Sequence, residues 1–396
     1  MFKIIGMTKL IWKLFKIVLT LLLAFLMYVV IGGVVPFLHH PDVSQTKKEA
    51  VESTQFYSDS VGPDRATIIE DNEEALKMRL RVIKDAQKTL ILSTFDFRSD
   101  DAGKDILAAL LNAADRGVKV EIFADGFNSI IQMENNDYFY ALSSNKNIKI
   151  IIYNQVNILI PWNGLGRMHD KYVIADDSLY ILGGRNTFGY FLGDYAGHKN
   201  YDRDVLVYNT GSKASSIYQI KDYYKKITSQ KCCSVFHCNE SLGEKNSVKK
   251  AEQELKNRYE SLENKYDKFL AGNYDYKANT YETNKINLLS NPTSLYTKQP
   301  TVYYGLMYLA KNAKKEVKIH TPYIICNDYM YKELKNIKVP TTIMTNSAEN
   351  NGNIFGAVDY LNHKKDIINT GVTIKEYEGG ISYHGKSMTI DDDIAI

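Results

Sequence analysis

One short pattern occurs twice in this sequence, and it constrains the fold more than any other feature. The first copy, RMHDKYVIADDSLYILGGRN (167–186), has the spacing His-x-Lys-x4-Asp-x6-Gly-Gly-x-Asn. The second copy, YHGKSMTIDDDIAI (383–396), repeats His-x-Lys-x4-Asp 215 residues later. At roughly 5% usage per residue type, the six fixed positions of the first copy match by chance on the order of once in 100,000 such chains. Two copies so far apart predict an internal duplication.

The segments before each copy alternate between runs predicted to be strands and helical patterns. Before the first copy they are a helix after Asn72, a plausible cap, then the run 89–95, a helix over 103–116 closed by Gly117, and the runs 118–124 and 148–154. Before the second copy they are a helix over 301–313, the runs 316–323 and 341–345, a helix near 353–369 and the run 372–377. The alternation predicts an α/β fold made of two copies of one unit.

The N-terminal segment predicts a membrane anchor. Residues 17–38 contain no charge and would span roughly 33 Å as a helix, close to the hydrocarbon thickness of about 30 Å. A cleaved signal peptide is the alternative, but its apolar region is shorter and ends in a small-residue site. Four lysines precede the span, so the positive-inside rule places the N-terminus in the cytoplasm and the remaining chain on the outer face of the cell membrane.

Composition excludes several classes. The chain has 396 residues, enough for two or three domains, and a net charge of +3, too small for a basic nucleic-acid-binding domain. Four cysteines are too few for a disulfide scaffold. Cys232, Cys233 and Cys238 lie near His237 at an unusual spacing for zinc, and a disulfide from Cys238 to one of the adjacent pair is an alternative if the domain lies outside the cell.

The residue types of the repeated pattern suit a phosphodiester. We expect each His-x-Lys to lie on a strand, where side chains alternate between the two faces, so His169 and Lys171 share one face, as do His384 and Lys386. Lysines do not ligate a metal while protonated, and we expect no metal and no cofactor. One imidazole can attack phosphorus while the other protonates the leaving alkoxide. Lys171, Lys386 and Asn186 can hold the non-bridging phosphate oxygens.

The remaining motif positions are interpreted as support. Asp176 and Asp391 close the segments that follow each His-x-Lys, and we expect them to stabilise local turns and balance charge. Gly183 and Gly184 complete the first motif.

The doubled motif resembles that of the phospholipase D superfamily, H-x-K-x4-D-x6-G-[SG]-x-N. Further stretches are similar to its cardiolipin synthase branch: residues 93–126, TPY (321–323) and YHGKSMTIDD (383–392). The resemblance implies two α/β sandwich halves that share one metal-free active site, with a phosphohistidine intermediate resolved by an alcohol or water. It implies His169 as nucleophile and His384 as general acid.

The family also places an acidic residue on the next strand, where it orients the nucleophilic imidazole. In YDRDVLVYNTG (201–211) Asp204 matches this position, and Asp202 is the less favoured choice. The second G-[SG]-x-N would fall near position 398, so we expect a fragment of a longer protein, with a defective enzyme as the alternative.

These observations predict six segments. They are a cytoplasmic basic segment (1–16), a transmembrane anchor (17–38), a tether (39–65), a first phospholipase D-like half (66–210), a helical insert (211–298) and a second, apparently truncated half (299–396). In the insert, apolar residues from Val248 to Phe269 recur at helical spacing, which predicts an amphipathic helix packed on the protein surface.

The predicted function is that of a membrane-anchored phosphatidyltransferase that makes cardiolipin from two phosphatidylglycerol molecules. A phospholipase D-type hydrolase is the nearest alternative. A nuclease is disfavoured because no basic stripe is present, so we expect phospholipid and membrane, not nucleic acid, as partners, with the oligomeric state open. A non-catalytic membrane scaffold is the alternative from another class.

The segment NILIPWNGLGRM (157–168), just before the first motif, has two interpretations. It is a buried strand that ends at Pro161, or a loop whose apolar tip, with Trp162, enters the membrane surface beside His169.

Overall fold

A computed structural model describes residues 2–237 and 240–396. The helices of this described part are α1 Phe2–Val34, α2 Gln45–Glu52, α3 Asn72–Asp85, α4 Asp101–Asp115, α5 Gly126–Gln132, α6 Asp137–Ser144, α7 Ile217–Thr228, α8 Glu240–Gly243, α9 Asn246–Lys265, α10 Asp267–Leu270, α11 Thr301–Lys311, α12 Asp328–Lys335 and α13 Ile354–Ile368. Short 3₁₀ turns cover Val35–Phe37 and Pro161–Asn163.

The strands of the described part form two main sheets and one short ribbon. They are β1 Asp64–Ile69, β2 Thr89–Thr94, β3 Lys119–Asp125, β4 Ile148–Tyr153, β5 Tyr172–Ala175, β6 Leu179–Gly183, β7 Asn200–Tyr201, β8 Asp204–Asn209, β9 Cys233–Val235, β10 Tyr281–Glu282, β11 Val317–His320, β12 Thr341–Asn346, β13 Thr373–Tyr377, β14 Ser382–Tyr383, β15 Ser387–Ile390 and β16 Ile394–Ala395.

The two main sheets contain the same five-strand unit. In the first sheet the order β6-β5-β2-β3-β4 is extended at both edges, and in the second the order is β16-β15-β11-β12-β13. β2, β3 and β4 are parallel, as are β11, β12 and β13, whereas β5 and β15 run antiparallel to their neighbours. The predicted α/β fold with an internal duplication is therefore confirmed.

Helices cover both faces of the first sheet. One face packs on α3, α4, α6 and α9 through a core that includes Leu76, Ile106, Phe139 and Leu255. The other face packs on α7, where Ile220 joins a separate core. Strands that are buried on both faces are rich in apolar residues, and this pattern allowed them to be predicted from the sequence.

Local signals at helix ends agree with the structure in one helix and differ in another. Asp100 caps α4 by accepting a hydrogen bond from Gly103 N at 2.9 Å, and Gly117 follows the helix with φ +95°. The cap of α3, however, is Asp71 and not Asn72, because Asp71 accepts from Glu74 N at 2.8 Å. Asn72 is the first helical residue and donates instead to Asn200 O.

The predicted amphipathic helix of the insert is formed by α9 and the following α10. Val248, Leu255, Tyr259 and Leu262 are buried in the same core as α4 and α6. The helix therefore packs on the outside of the first half, as its periodicity indicated.

The N-terminal part of the chain contains the predicted apolar helix, and the predicted tether after it contains a further helix, α2. The apolar stretch Leu10–Phe37 is long enough to cross a membrane and is not buried within the protein. After it, α2 lies against the second half, where the Ser44 backbone N–H donates to Gln299 Oε1 at 3.0 Å and Tyr304 donates to Glu52. Residues 39–65 thus include a helix that joins the N-terminal segment to α11.

Candidate active site

Each motif lies in an extended segment that immediately precedes a strand, not inside the strand itself. His169 and Lys171 come just before β5, and His384 and Lys386 come just before β15. The residue before each histidine is held by a side chain at the end of a parallel strand. Met168 N donates to Asp125 Oδ2 at 2.9 Å. In the second half, Tyr383 N donates to Asn346 Oδ1 at 2.9 Å.

Contacts between the halves bring the second motif to the first. β7 pairs with β14 in parallel, and His384 N donates to Tyr201 O at 2.6 Å. Next to this pairing, His384 Nδ1 lies 2.7 Å from Asp202 Oδ2. The carboxylate of one half therefore contacts the imidazole of the other half.

In both motifs the lysine folds back onto its own histidine. Lys171 Nζ lies 2.9 Å from His169 Nδ1 and donates to His169 O at 2.8 Å. Lys386 Nζ lies 3.0 Å from His384 Nε2 and donates to His384 O at 2.8 Å. Each half thus presents one imidazole and one ammonium side by side, as the two-residue spacing predicted.

Desolvation and neighbouring positive charge shift the pKa values of these groups. Desolvation, then the charge of Lys171, lowers the pKa of His169 well below its ordinary value. Burial and the charge of Lys386 lower the pKa of Lys171 to about 7, and desolvation lowers that of Lys386 to about 8. His169 is consequently neutral at neutral pH, the form in which imidazole has a lone pair for attack.

Asp202 gives the other histidine a different environment. Desolvation lowers the pKa of His384 below its ordinary value, although the hydrogen bond to Asp202 acts to raise it. Burial alone would raise the pKa of Asp202, but the hydrogen bond and positive charge of His384 hold it below its ordinary value. An ionised carboxylate at Nδ1 favours the protonated ring, so His384 is better suited than His169 to donate a proton.

The structure corrects the prediction that Asp204 orients an imidazole. Asp204 Oδ2 is buried between two guanidinium groups, 2.8 Å from Arg79 Nη1 and 3.1 Å from Arg185 Nη1. Both arginines contact the same oxygen of Asp204, so this carboxylate is their counter-charge, while Asp202, which stands beside the β7–β14 pairing, contacts His384. Arg185 also donates to Asp202 O at 2.6 Å and so links the two acids.

The remaining first-motif residues surround this acidic pair. A Cβ atom at Gly183 would overlap the Asp204 carboxylate, and one at Gly184 would overlap that of Asp202. Asn186 is buried, and its Oδ1 accepts a hydrogen bond from Asp96 N at 3.2 Å. The two glycines are thus required for the close approach of the chain that carries both acids.

Asp176 and Asp391 perform the same task in the two halves. Asp176 accepts from the backbone N–H groups of Gln87, Lys88 and Thr89, each at 2.8 Å. Asp391 accepts from those of Lys314, Lys315 and Glu316 at 2.7–3.0 Å. Each carboxylate therefore fixes the turn that leads into the first parallel strand of its half.

Two structurally important arginines were missed by the sequence reasoning. Arg79 lies on the helical stripe formed by Leu76, Leu80 and Ile83, so a charged residue among buried positions was the available signal. Arg185 stands between the motif residues Gly184 and Asn186 but carried no distinguishing pattern.

The cysteines of the described residues form neither a disulfide nor a metal site. Cys232, Cys233 and Cys326 are free, and no group of three or more metal-binding side chains occurs within residues 2–237 and 240–396. The predicted disulfide and zinc site both involve Cys238, which lies outside the described residues.

Comparisons with known proteins were made for the sequence and for the fold. Residues 80–227 match the family described as "Cardiolipin synthase, PLD-like domain". An uncharacterized protein of Helicobacter pylori is 26% identical over 372 residues, which cover 84% of this chain and 71% of the relative. Cardiolipin synthase B of Salmonella typhi is 32% identical over 142 residues, covering 35% of this chain and 34% of the relative.

Among solved structures, the phosphatidylserine synthase of Haemophilus influenzae aligns with 88% of this chain and 80% of its own, with a TM-score of 0.56 and 14% identity. This likeness extends the shared fold across both halves. Residues 80–227 are thus a phospholipase D-like domain, and the predicted resemblance of the chain to the phospholipase D superfamily is confirmed.

Proposed function

We propose that this chain is a membrane-anchored phosphatidyltransferase that makes cardiolipin from two phosphatidylglycerol molecules. The observation that carries the proposal is the contact of His384 with Asp202, which ties the imidazole of the second half to a carboxylate of the first half. The family match of residues 80–227 supports a phospholipid as substrate. Residues 66–210 and 299–396 would be the two catalytic halves.

The first step transfers a phosphatidyl group to the protein. A ring nitrogen of neutral His169 attacks phosphorus of the first phosphatidylglycerol and forms a P–N bond. The bond from phosphorus to the glycerol headgroup oxygen breaks, and protonated His384 gives its proton to that oxygen. Free glycerol leaves, while the phosphatidyl group stays on His169.

The second step returns the site to its starting state. His384, now neutral, accepts the proton from the terminal hydroxyl of a second phosphatidylglycerol. The resulting oxygen attacks phosphorus, the P–N bond to His169 breaks, and cardiolipin is released. Asp202 would hold the His384 ring in place and stabilise its protonated form in both steps.

The cationic groups would bind the transferred phosphate. Lys171 and Lys386 are hydrogen-bonded to the histidines of their own motifs. Phosphate oxygens would draw both ammonium groups away from the rings, and this would leave the ring nitrogens free to react. Binding of the phosphate would also stabilise charged lysine and thereby raise the lowered pKa values of both side chains.

The apolar helix would hold the site next to its substrate. The stretch Leu10–Phe37 spans about 42 Å as a helix, more than the hydrocarbon core requires. Four lysines lie before this stretch or in its first two turns (Lys3, Lys9, Lys13 and Lys16), whereas two (Lys47 and Lys48) lie within about 15 residues after it. This excess supports a cytoplasmic N-terminus with the catalytic halves on the outer face.

A lipid assay with the full chain tests the proposal. Protein reconstituted in vesicles of phosphatidylglycerol should form cardiolipin and glycerol in equal amounts, and His169→Asn should abolish both products. Phosphatidic acid with no cardiolipin would instead identify a hydrolase, and no turnover of any phospholipid would refute the phosphatidyltransferase assignment.

A further inference from the structure

Exposed apolar side chains surround the candidate active site on segments of both halves. We define the apolar rim as Leu159 and Trp162 from the loop before the first motif, Phe127 and Ile131 from α5, and Ile354 and Phe355 from the start of α13. Their exposed fractions range from 39% for Trp162 to 83% for Phe355. Exposed apolar clusters of this kind mark a surface that contacts a membrane or another protein.

The loop of the rim is attached to the apolar helix α1. It forms the 3₁₀ turn Pro161–Asn163, so the interpretation as a buried strand is wrong. Tyr28 donates to Leu159 O at 2.9 Å, and a Cβ at Gly32 would stand only 2.7 Å from Pro161 Cγ. The loop therefore packs directly against the C-terminal part of the stretch that could cross a membrane.

The α5 part of the rim lies beside His169. Asn128 Nδ2 donates to Phe95 O at 3.1 Å, and the Phe95 ring centroid is 4.5 Å from that of His169. Asn154 links α5 to the loop, because its Nδ2 donates to Asn163 O at 2.8 Å and its own carbonyl lies against Gly126. Phe127 and Ile131 thus continue the surface formed by the loop.

The α13 part of the rim lies beside the second motif. Gly352 N donates to Ser382 Oγ at 3.2 Å, and a Cβ at Gly356 would stand 2.9 Å from Tyr323 Cβ. Lys386 Nζ in turn lies 5.9 Å from the centre of the Tyr323 ring. α5 and α13 both follow the middle parallel strand of their halves, so they occupy equivalent positions, each near the motif of its own half.

We infer that the apolar rim is inserted into the outer surface of the bilayer that α1 crosses, so that the active-site opening faces the lipid. The inference rests on the membrane anchoring proposed above. The contacts of the loop with Tyr28 and Gly32 lie about 8–14 Å along the helix from Phe37. Amphipathic segments at a membrane surface are buried to about 5–10 Å, a similar depth. The bilayer is favoured over a protein partner because the loop touches the apolar helix itself.

Tryptophan fluorescence of the full chain can test this placement, since the sequence contains only Trp12 and Trp162. The protein is reconstituted in phosphatidylcholine–phosphatidylglycerol vesicles that contain phosphatidylcholine brominated at a shallow or a deep acyl position. The Trp162→Phe variant reports on the anchor through Trp12. The Trp12→Phe variant reports on the loop through Trp162.

Two further variants, both lacking the native tryptophans, extend the test to α13. One carries Phe355→Trp in the rim. The matched control carries Lys146→Trp, an exposed position in the turn before β4, at the opposite end of the parallel strands from His169. We expect the shallow bromine to quench Trp162 and the Phe355→Trp variant strongly, the deep bromine to quench them less, and the control to be unaffected.

The alternative outcomes separate this inference from the proposed anchoring. If brominated lipid quenches Trp12 but fails to quench either Trp162 or the tryptophan of the Phe355→Trp variant, the proposed anchoring is supported and the inference about the rim is overturned. Absence of quenching at Trp12 would overturn the anchoring itself. Rim tryptophans protected from both brominated lipid and aqueous acrylamide would show that a protein covers the rim, which also overturns the inference.

Discussion

Replacement of Asp202 by Asn should impair catalysis while leaving the fold intact. The change keeps the size of the side chain and an acceptor oxygen for His384 Nδ1, 2.7 Å away in the native protein. It removes the negative charge that favours the protonated imidazole. If His384 donates the proton to the leaving group, a smaller fraction of the variant carries the protonated His384 that reacts. The hydrogen bond that holds the imidazole ring is also weaker in the variant.

The magnitude follows from the kind of hydrogen bond that is lost. A hydrogen bond to a charged group contributes about 1.5–3 kcal/mol. At 1.36 kcal/mol per tenfold change in rate, this corresponds to a decrease in kcat of about 10- to 150-fold. Because Asp202 raises the pKa of His384, its removal lowers that pKa, and the basic limb of the pH–rate profile should move to lower pH.

The assay measures the rate of cardiolipin formation as a function of pH for the native chain and Asp202→Asn. Circular dichroism measures the melting temperature of each protein. Asp204→Asn, the same substitution two residues away, is the comparison variant. It leaves two buried arginines without their shared counter-charge and should destabilise the protein by about 3–5 kcal/mol. An Asp202→Asn variant with native kcat and an unchanged basic limb would refute the reasoning. A melting temperature of Asp204→Asn equal to that of the native chain would contradict the structural assignment of Asp204.

Three further predictions concern the same site. His169→Asn should abolish a trapped covalent phosphatidyl intermediate and His384→Asn should slow its formation by about 10²–10⁴-fold, whereas phosphate trapped on His384 would reverse the two roles. Gly184→Ala should lower kcat because its Cβ would displace the Asp202 carboxylate, and an unaffected rate would exclude that close approach. A chelator should leave activity unchanged because no group of three or more metal-binding side chains surrounds either imidazole within residues 2–237 and 240–396, while a loss restored by added Zn²⁺ or Mg²⁺ would contradict a metal-independent reaction.

Much of the fold could be predicted because it is encoded locally. The strands of both halves are short segments rich in β-branched and apolar residues, and the helices between them have caps and apolar stripes close to the predicted bounds. The spacing of His-x-Lys fixes which side chains share a side of an extended segment, so both imidazole–ammonium pairs were visible in the sequence. Their repetition indicated the duplication, and the two main sheets contain the same five-strand unit.

The loop before the first motif shows where local sequence patterns stop being sufficient. Residues 157–165 are apolar enough for a buried strand or an exposed loop, and periodicity cannot distinguish the two. The contact of Tyr28 with Leu159 joins residues 131 positions apart, so only the folded chain places this loop on α1.

The choice between Asp202 and Asp204 was likewise decided by tertiary structure. The two acids are two residues apart, and the sequence offers no local reason to prefer one. Asp202 contacts an imidazole because the pairing of β7 with β14 brings His384, 182 residues away in the chain, to that position. Asp204 faces Arg79, which reaches it from α3. The sequence thus determined which chemical groups are available and in which local geometry, whereas long-range packing determined which acid meets which base, because contacts between distant segments leave no local periodic signal.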